Sequence, residues 1–291
     1  MGEFKGEGYE NEMMMGKYDD QERGKIGELL KKKQEYAKVP FDGEFADQEC
    51  RNFFLDRMQE IVEDCHADGM DEVVFLDKGA RLLGGFFRKV WEVKHPDEEA
   101  PSVSFVNIGS EKARNYEGKG YQALQYMDDA AYEREISDVK AQLLQSFGDK
   151  FDDKWVLLVD ELCFEGRALN YAYQLFCDTY PNSKIHATWF EIGEAGNNEL
   201  YDREEEQNVP MYSPPARYPA SYHGKINLEK FMKYENGVVE APDKRALFAM
   251  PWNQQEFEGE TEEGRAVAKK EYSAKVHHWH DQMTKLALEL L

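Results

Sequence analysis

Two segments of the chain carry an apolar run into charged residues, and both have the makings of an anion site. VVFLDKGARLLGG occupies 73–85 and WVLLVDELCFEGRALNYA occupies 155–172. Each apolar run reads as a strand covered on both faces of a parallel sheet, and ligands of open parallel sheets bind beyond the carboxyl ends of such strands. The second segment delivers two carboxylates, Asp160 and Glu161, at its strand end, and a short turn leads from there into a helical pattern. Carboxylates accept hydrogen bonds from ribose hydroxyls or hold a magnesium ion through water. Backbone amides of a tight turn at a helix N-terminus take a phosphate. Together these groups complement the two ends of one sugar phosphate.

Other chemistry-bearing residues point elsewhere or nowhere. GARLLGG at 79–85 has neither the GK[ST] ending of a P-loop nor a GxGxxG, so Gly84 and Gly85 are expected to permit close packing of helix on sheet. His277, His278 and His280 have no carboxylate or cysteine nearby to complete a ligand set, and are expected on a solvated, aromatic-flanked helix face. Cys163 falls in the turn beside a helix start, but no histidine partner is identifiable, so it is read as packing. Glu204-Glu205-Glu206 is a solvated charge run. Residues 109–121, GSEKARNYEGKGY, are polar, glycine-punctuated and locally basic, an exposed loop carrying Lys112, Arg114 and Lys119.

The elements that must position these residues follow from the apolar spacing. Val73–Leu76, Ser102–Ile108, Trp155–Val159 (terminating at Asp160-Glu161) and Lys184–Ile192 are the expected strands. Helical patterns separate them: Leu83, Phe87 and Val90; then Ile136, Val139, Leu143 and Phe147; then Ala168–Cys177. The alternation predicts an α/β domain over 42–192 with a mostly parallel sheet flanked by helices. Its first helix is expected from Phe45 to Ala67, with Phe54, Met58, Ile61 and Cys65 on one face and Gly69 as the stop. Residues 1–41 are expected to be a flexible leader followed by a solvated helix at most, over Gln21–Lys38. Residues 193–291 start as a proline-rich surface excursion (Pro210, Pro214, Pro215, Pro219). They end in a helix whose Val276, Trp279, Met283, Leu286 and Leu290 are expected to dock on the α/β domain. These are N- and C-terminal helical additions to the core.

Composition bounds the function classes. The 291 residues include 58 acidic and 36 basic side chains, a formal charge of −22. Such a field opposes binding to a nucleic-acid backbone, so no nucleic-acid partner is expected. No run approaches the roughly 20 apolar residues that span a bilayer, and no membrane partner is expected. Four scattered cysteines without a CxxC suit a reduced compartment, so the expected location is cytoplasmic. Oligomeric state stays open, a homodimer included.

The segment VLLVDELCFEGRAL resembles the phosphoribosyl-pyrophosphate signature of type I phosphoribosyltransferases, in which four apolar residues precede two acidic ones, two apolar ones and a loop ending in Thr-Gly-x-Thr. The upstream LDKGAR is similar to that family's pyrophosphate loop, and the order of elements over roughly 70–192 also fits. The resemblance implies a phosphoribosyltransferase-like fold. It also implies an enzyme transferring 5-phosphoribosyl between pyrophosphate and a nitrogenous acceptor, with Mg2+ bridging the anionic groups. Its ligand would be phosphoribosyl pyrophosphate or a nucleotide-like small molecule. Carried over by position, Asp160 and Glu161 are the catalytic carboxylates that bind the ribose hydroxyls or the metal. The turn Cys163, Phe164, Glu165, Gly166, Arg167 and Ala168 wraps the 5′-phosphate. Lys78, Gly79, Ala80 and Arg81 face the pyrophosphate, and Lys112, Arg114 and Lys119 close over it. The loop is degenerate: Glu165 and Ala168 stand where the family has hydroxyl donors. A carboxylate about 4 Å from a phosphate repels it by about 1 kcal/mol in water and about 4 at an effective dielectric of 20. Arg167 turned inward offsets that, and Glu165 turned outward caps a helix instead. These substitutions motivate the alternative, a non-catalytic nucleotide-binding regulatory module of the same fold.

Overall fold

The computed structural model describes residues 20–76, 80–106, 108, 129–163, 167–192, 238–239, 250–251 and 262–291. The chain divides into two compact units: residues 1–62, 85–100 and 280–291, and residues 63–84 and 101–279. In chain order the helices are α1 (Asp20–Tyr36), α2 (Gln48–Asp68), α3 (Arg81–Lys94), α4 (Asp129–Phe147), α5 (Arg167–Thr179) and α6 (Glu262–Leu288). The strands are β1 (Glu72–Leu76), β2 (Ser102–Val106), β3 (Trp155–Cys163), β4 (Lys184–Ile192) and the short pair β5 (Val238–Val239) and β6 (Met250–Pro251). Among the described residues no helix is long and apolar enough to cross a membrane.

The larger unit is built on a four-stranded sheet of order β2-β1-β3-β4, parallel throughout. This is the α/β architecture that the alternation of apolar runs and helical patterns predicts. Pairing puts Val74 beside Leu158 and Phe75 beside Val159, so alternate residues line opposite faces. One face (Val74, Leu76, Val106, Val156, Leu158, Ile185, Ala187, Trp189) is buried with Val139 and Leu143 of α4 and Leu169, Ala172, Leu175 and Phe176 of α5. Phe151 closes this core, its ring 5.0 Å from Phe147 and 5.3 Å from both Phe176 and Tyr180. On the other face the first turn of α3 meets the sheet. A Cβ placed on Gly84 would lie 2.7 Å from the Phe105 ring and 3.1 Å from Phe75, so only glycine allows this approach. The expectation for Gly84 is met. Gly85 differs: its nearest neighbour is His280 at an ordinary 3.5 Å, because one helical step turns it away from the sheet.

The amino ends of the strands are tied by polar groups. Asp71 accepts the Trp155 amide at 2.9 Å and its carbonyl accepts the Ser102 amide at 3.0 Å. Lys150 Nζ lies 3.2 Å from Glu72 and donates to Ser104 Oγ at 2.7 Å. Across the β3–β4 pairing, Lys184 Nζ stands 3.9 Å over the Trp155 ring. In the same unit α2 ends in a left-handed Gly69 (φ 64°), with Met70 N bonded to Cys65 O at 2.9 Å and Gly69 N to His66 O at 3.2 Å, as the glycine stop requires.

The helical unit corrects two expectations. Helix α2 begins at Gln48, not Phe45, because Asp47 Oδ1 accepts the Glu49 and Cys50 amides at 2.6 and 3.3 Å and caps the helix there. Phe45 sits in a preceding 3-10 turn, its ring 5.1 Å from Phe54. Helix α1, expected to be solvated, buries Ile26 and Leu29. Its alternating charges are spent on partners far along the chain: Lys25 on Asp97 at 3.2 Å and Lys32 on Glu92 at 2.8 Å. The last turns of α6 fasten to α1 and the segment after it. Tyr36 donates to Asp281 at 3.1 Å and Gln282 donates to the Pro40 carbonyl at 2.8 Å. Lys285 donates to the Val39 carbonyl and stands 4.0 Å over the Phe41 ring, where Arg51 also stacks at 4.6 Å.

Candidate functional site

The strand order makes a switch point. From β1 the chain passes through α3 to β2 on one side, then reaches β3 and β4 on the other side of β1. In open α/β sheets this reversal opens a crevice beyond the carboxyl ends of the two strands it separates, here β1 and β3. Both anion-site segments leave the sheet at these strands. Their register is unequal: among the described residues β1 last pairs with β3 at Phe75↔Val159, while β3 pairs with β4 as far as Cys163↔Ile192. In this register Leu76, the last residue of β1, is level with Asp160, and residues 161–163 run on beyond it.

This corrects the sequence boundaries. The strand does not end at the acidic pair; Asp160 is inside it, opposite Trp189, and the Leu162↔Glu191 and Cys163↔Ile192 pairings carry it further. The nine-residue β4 provides the ladder that the sequence of β3 alone does not reveal. Cys163 is thus the last residue of a strand, not part of a turn, and Arg167 and Ala168 are the first residues of α5. Phe164, Glu165 and Gly166 lie outside the described residues, as do Lys78 and Gly79 and Lys112, Arg114 and Lys119.

The two carboxylates differ. Alternation puts Asp160 in the row of Leu158 and Trp189, and the residue is only 9 % exposed. Glu161 belongs to the next row and is half-buried. The Glu161 amide donates to Asp160 Oδ1 at 3.0 Å. Burial pushes the Asp160 carboxyl up from its ordinary 3.8 to about 6, and hydrogen bonds from the Glu161 side chain and amide hold back a larger rise. Among the described residues no Lys or Arg pairs with Asp160. A buried carboxyl whose pKa is raised in this way can give up its proton to a base or exchange it for a metal ion near pH 6.

At the end of β1, Ala80 is buried and Arg81 opens α3. Arg81 is half-buried, with its guanidinium 4.9 Å from the centre of the Phe105 ring. Phe105 pairs with Phe75 across β2 and β1. Sequence analysis passed over Phe105, because nothing in Ser102–Val106 marks it apart from core residues; the signal lay in the Arg81/Gly84 spacing of three, which puts both on one helix face. The structure thus brings Asp160, Glu161, Ala80 and Arg81 to strand ends on either side of the switch point. Compared with protein-family models, with curated proteins and with solved structures, the chain matches none.

Proposed function

We propose that the crevice between β1 and β3 binds a phosphoribosyl ligand, and that the protein is a phosphoribosyltransferase-like enzyme moving 5-phosphoribosyl between pyrophosphate and a nitrogenous acceptor. The observation that carries this reading is the emergence of the acidic pair and of the Ala80–Arg81 segment at neighbouring carboxyl ends at the switch point. Glu161, half-buried, would meet the ribose hydroxyls. Asp160, the more buried of the two, would join Glu161 in holding the metal, and Arg81, with Lys78, meets the pyrophosphate. Such a reaction proceeds by positioning the ribose carbon and stabilising the departing anion, so cations at the leaving group matter more than a nucleophilic side chain.

The donor set suits magnesium: a hard, oxygen-only ion is commonly held by one or two carboxylates together with substrate phosphates. Bound there by Asp160 and Glu161, Mg2+ would supply charge neutralisation for the pyrophosphate on a chain of −22. Isothermal titration of phosphoribosyl pyrophosphate with Mg2+ present tests the reading. Binding at micromolar to millimolar concentrations is expected, weakened at least tenfold by Glu161→Gln, and no heat at millimolar ligand overturns it. A second reading, binding without turnover, draws on the burial of Asp160, which makes its ionised form costly beside an anionic ligand. It is separated from the first by assaying pyrophosphate release in the presence of nitrogenous bases.

A further inference from the structure

Arg81 and Gly84 both meet the ring of Phe105. Gly84 leaves the space the ring fills, since any Cβ there would stand 2.7 Å from its Cε1 and Cζ. The ring in turn lies 4.9 Å beneath the Arg81 guanidinium. It is fixed from the other side by Phe75, whose ring centre is 6.1 Å away and which pairs with it in register across the sheet. Phe105 itself is half-buried, as is Arg81, so the stack stands at the margin of the core. An arginine side chain has several rotatable bonds and loses entropy when held. A flat aromatic face that holds its guanidinium removes that cost before a ligand arrives, and stacking leaves the N–H donors in the guanidinium plane.

We infer that Phe105 is a positioning residue: its ring, admitted by Gly84, presets the Arg81 guanidinium for the pyrophosphate end of the ligand. This inference rests on the proposed function, and it adds that affinity for the pyrophosphate group is set from strand β2 through a side chain that need not touch the ligand. The role is separable from the sugar end of the site, where Asp160 and Glu161 lie on β3.

The test titrates two probes with Mg2+ present, inorganic pyrophosphate and ribose 5-phosphate, into the parent and into Phe105→Leu, Phe105→Tyr, Arg81→Ala and the Arg81→Ala/Phe105→Leu double variant. Phe105→Leu should weaken pyrophosphate about tenfold, from loss of the cation–π hold, while ribose 5-phosphate changes less than twofold. Phe105→Tyr, which keeps the π face, should retain pyrophosphate affinity. The double variant should bind no more weakly than Arg81→Ala alone, because the ring acts through the guanidinium. Equal weakening of both probes by Phe105→Leu, additive losses in the double variant, or no change at all overturns the inference. If the parent binds both probes and Phe105→Leu is silent, the positioning role falls and the binding site stands. If the parent binds neither probe, both fall.

Discussion

The two ends of the same four strands treat their carboxylates in opposite ways. At the amino ends Glu72, 6 % exposed, lies 3.2 Å from Lys150, and that ammonium also donates to Ser104. Asp71 accepts the Trp155 amide and stands 3.8 Å from Lys154. At the carboxyl ends Asp160 is also buried, yet among the described residues it takes the amide of its own neighbour and no cation, and its pKa rises to about 6. Burial is common to both ends; among the described residues the compensating cation is not. A carboxylate matched by a fixed ammonium is part of the scaffold, whereas one left short of a cation has affinity in reserve for an ion or a proton.

Removing the ammonium should have the largest effect. Lys150→Met strands Glu72 in the core and is expected to cost about 3–4 kcal/mol in urea unfolding, near the low end for a broken buried pair because Lys150 reaches water. Adding Glu72→Gln to that variant should recover most of the loss. Ligand titration should not change, since the pair is at the far ends of the strands. A variant that unfolds no more easily would place Glu72 among the unpaired carboxyls and erase the contrast.

Asp160→Asn should act with the opposite sign. A carboxyl whose pKa is raised from 3.8 to about 6 on folding makes the native state bind the extra proton between those values. The stability this lends is present below pH 4 and lost as the pH rises through 6. The amide carries no charge to bury, so at pH 7 the variant should be more stable by up to about 3 kcal/mol, with the gain vanishing near pH 3.5. Phosphoribosyl pyrophosphate binding should fall in the same variant. Melting curves from pH 3.5 to 7.5 check the slope, and a parent whose stability is flat across this range would show Asp160 to be compensated after all.

The smallest effect sharpens the amino-end side. Tyr180 is wholly buried beside Phe151 and Phe176, and among the described residues its hydroxyl has no hydrogen-bond partner. Tyr180→Phe removes a desolvated donor without opening a cavity, so a change within about 1 kcal/mol, neutral or stabilising, is expected. A loss of 2 or more would mean that this hydroxyl is held, and that polar compensation at the amino ends extends further than Lys150 and Asp71.

The sheet was legible in the sequence because its strands are buried on both faces. Val73–Leu76 and Trp155–Val159 are unbroken apolar runs, and their alternation with helical spacing leaves few other architectures. What escaped depended on register. That Asp160 and Glu161 lie inside β3 follows from the reach of β4, and no local pattern records a partner strand's length. In α1 the burial of Ile26 and Leu29 and the pairing of Lys25 with Asp97 and Lys32 with Glu92 involve residues distant in sequence, which window-based reasoning cannot match to one another. The packing of Gly84 was readable, but the ring that fills its space was not, because Phe105 looks like any other strand phenylalanine until α3 is laid over it.

The fastening of residues 36–41 by Asp281, Gln282 and Lys285 has a consequence for biogenesis. These three contacts span 245, 242 and 246 residues. At a translation speed of roughly 5–20 residues per second, the early segment emerges roughly 12–50 s before its clasp is made. During that wait all four strands of the sheet leave the ribosome and can pair, while Tyr36, Val39, Pro40 and Phe41 have yet to meet the last turns. The clasp on residues 36–41 is therefore closed only after the strands of the sheet have been synthesised.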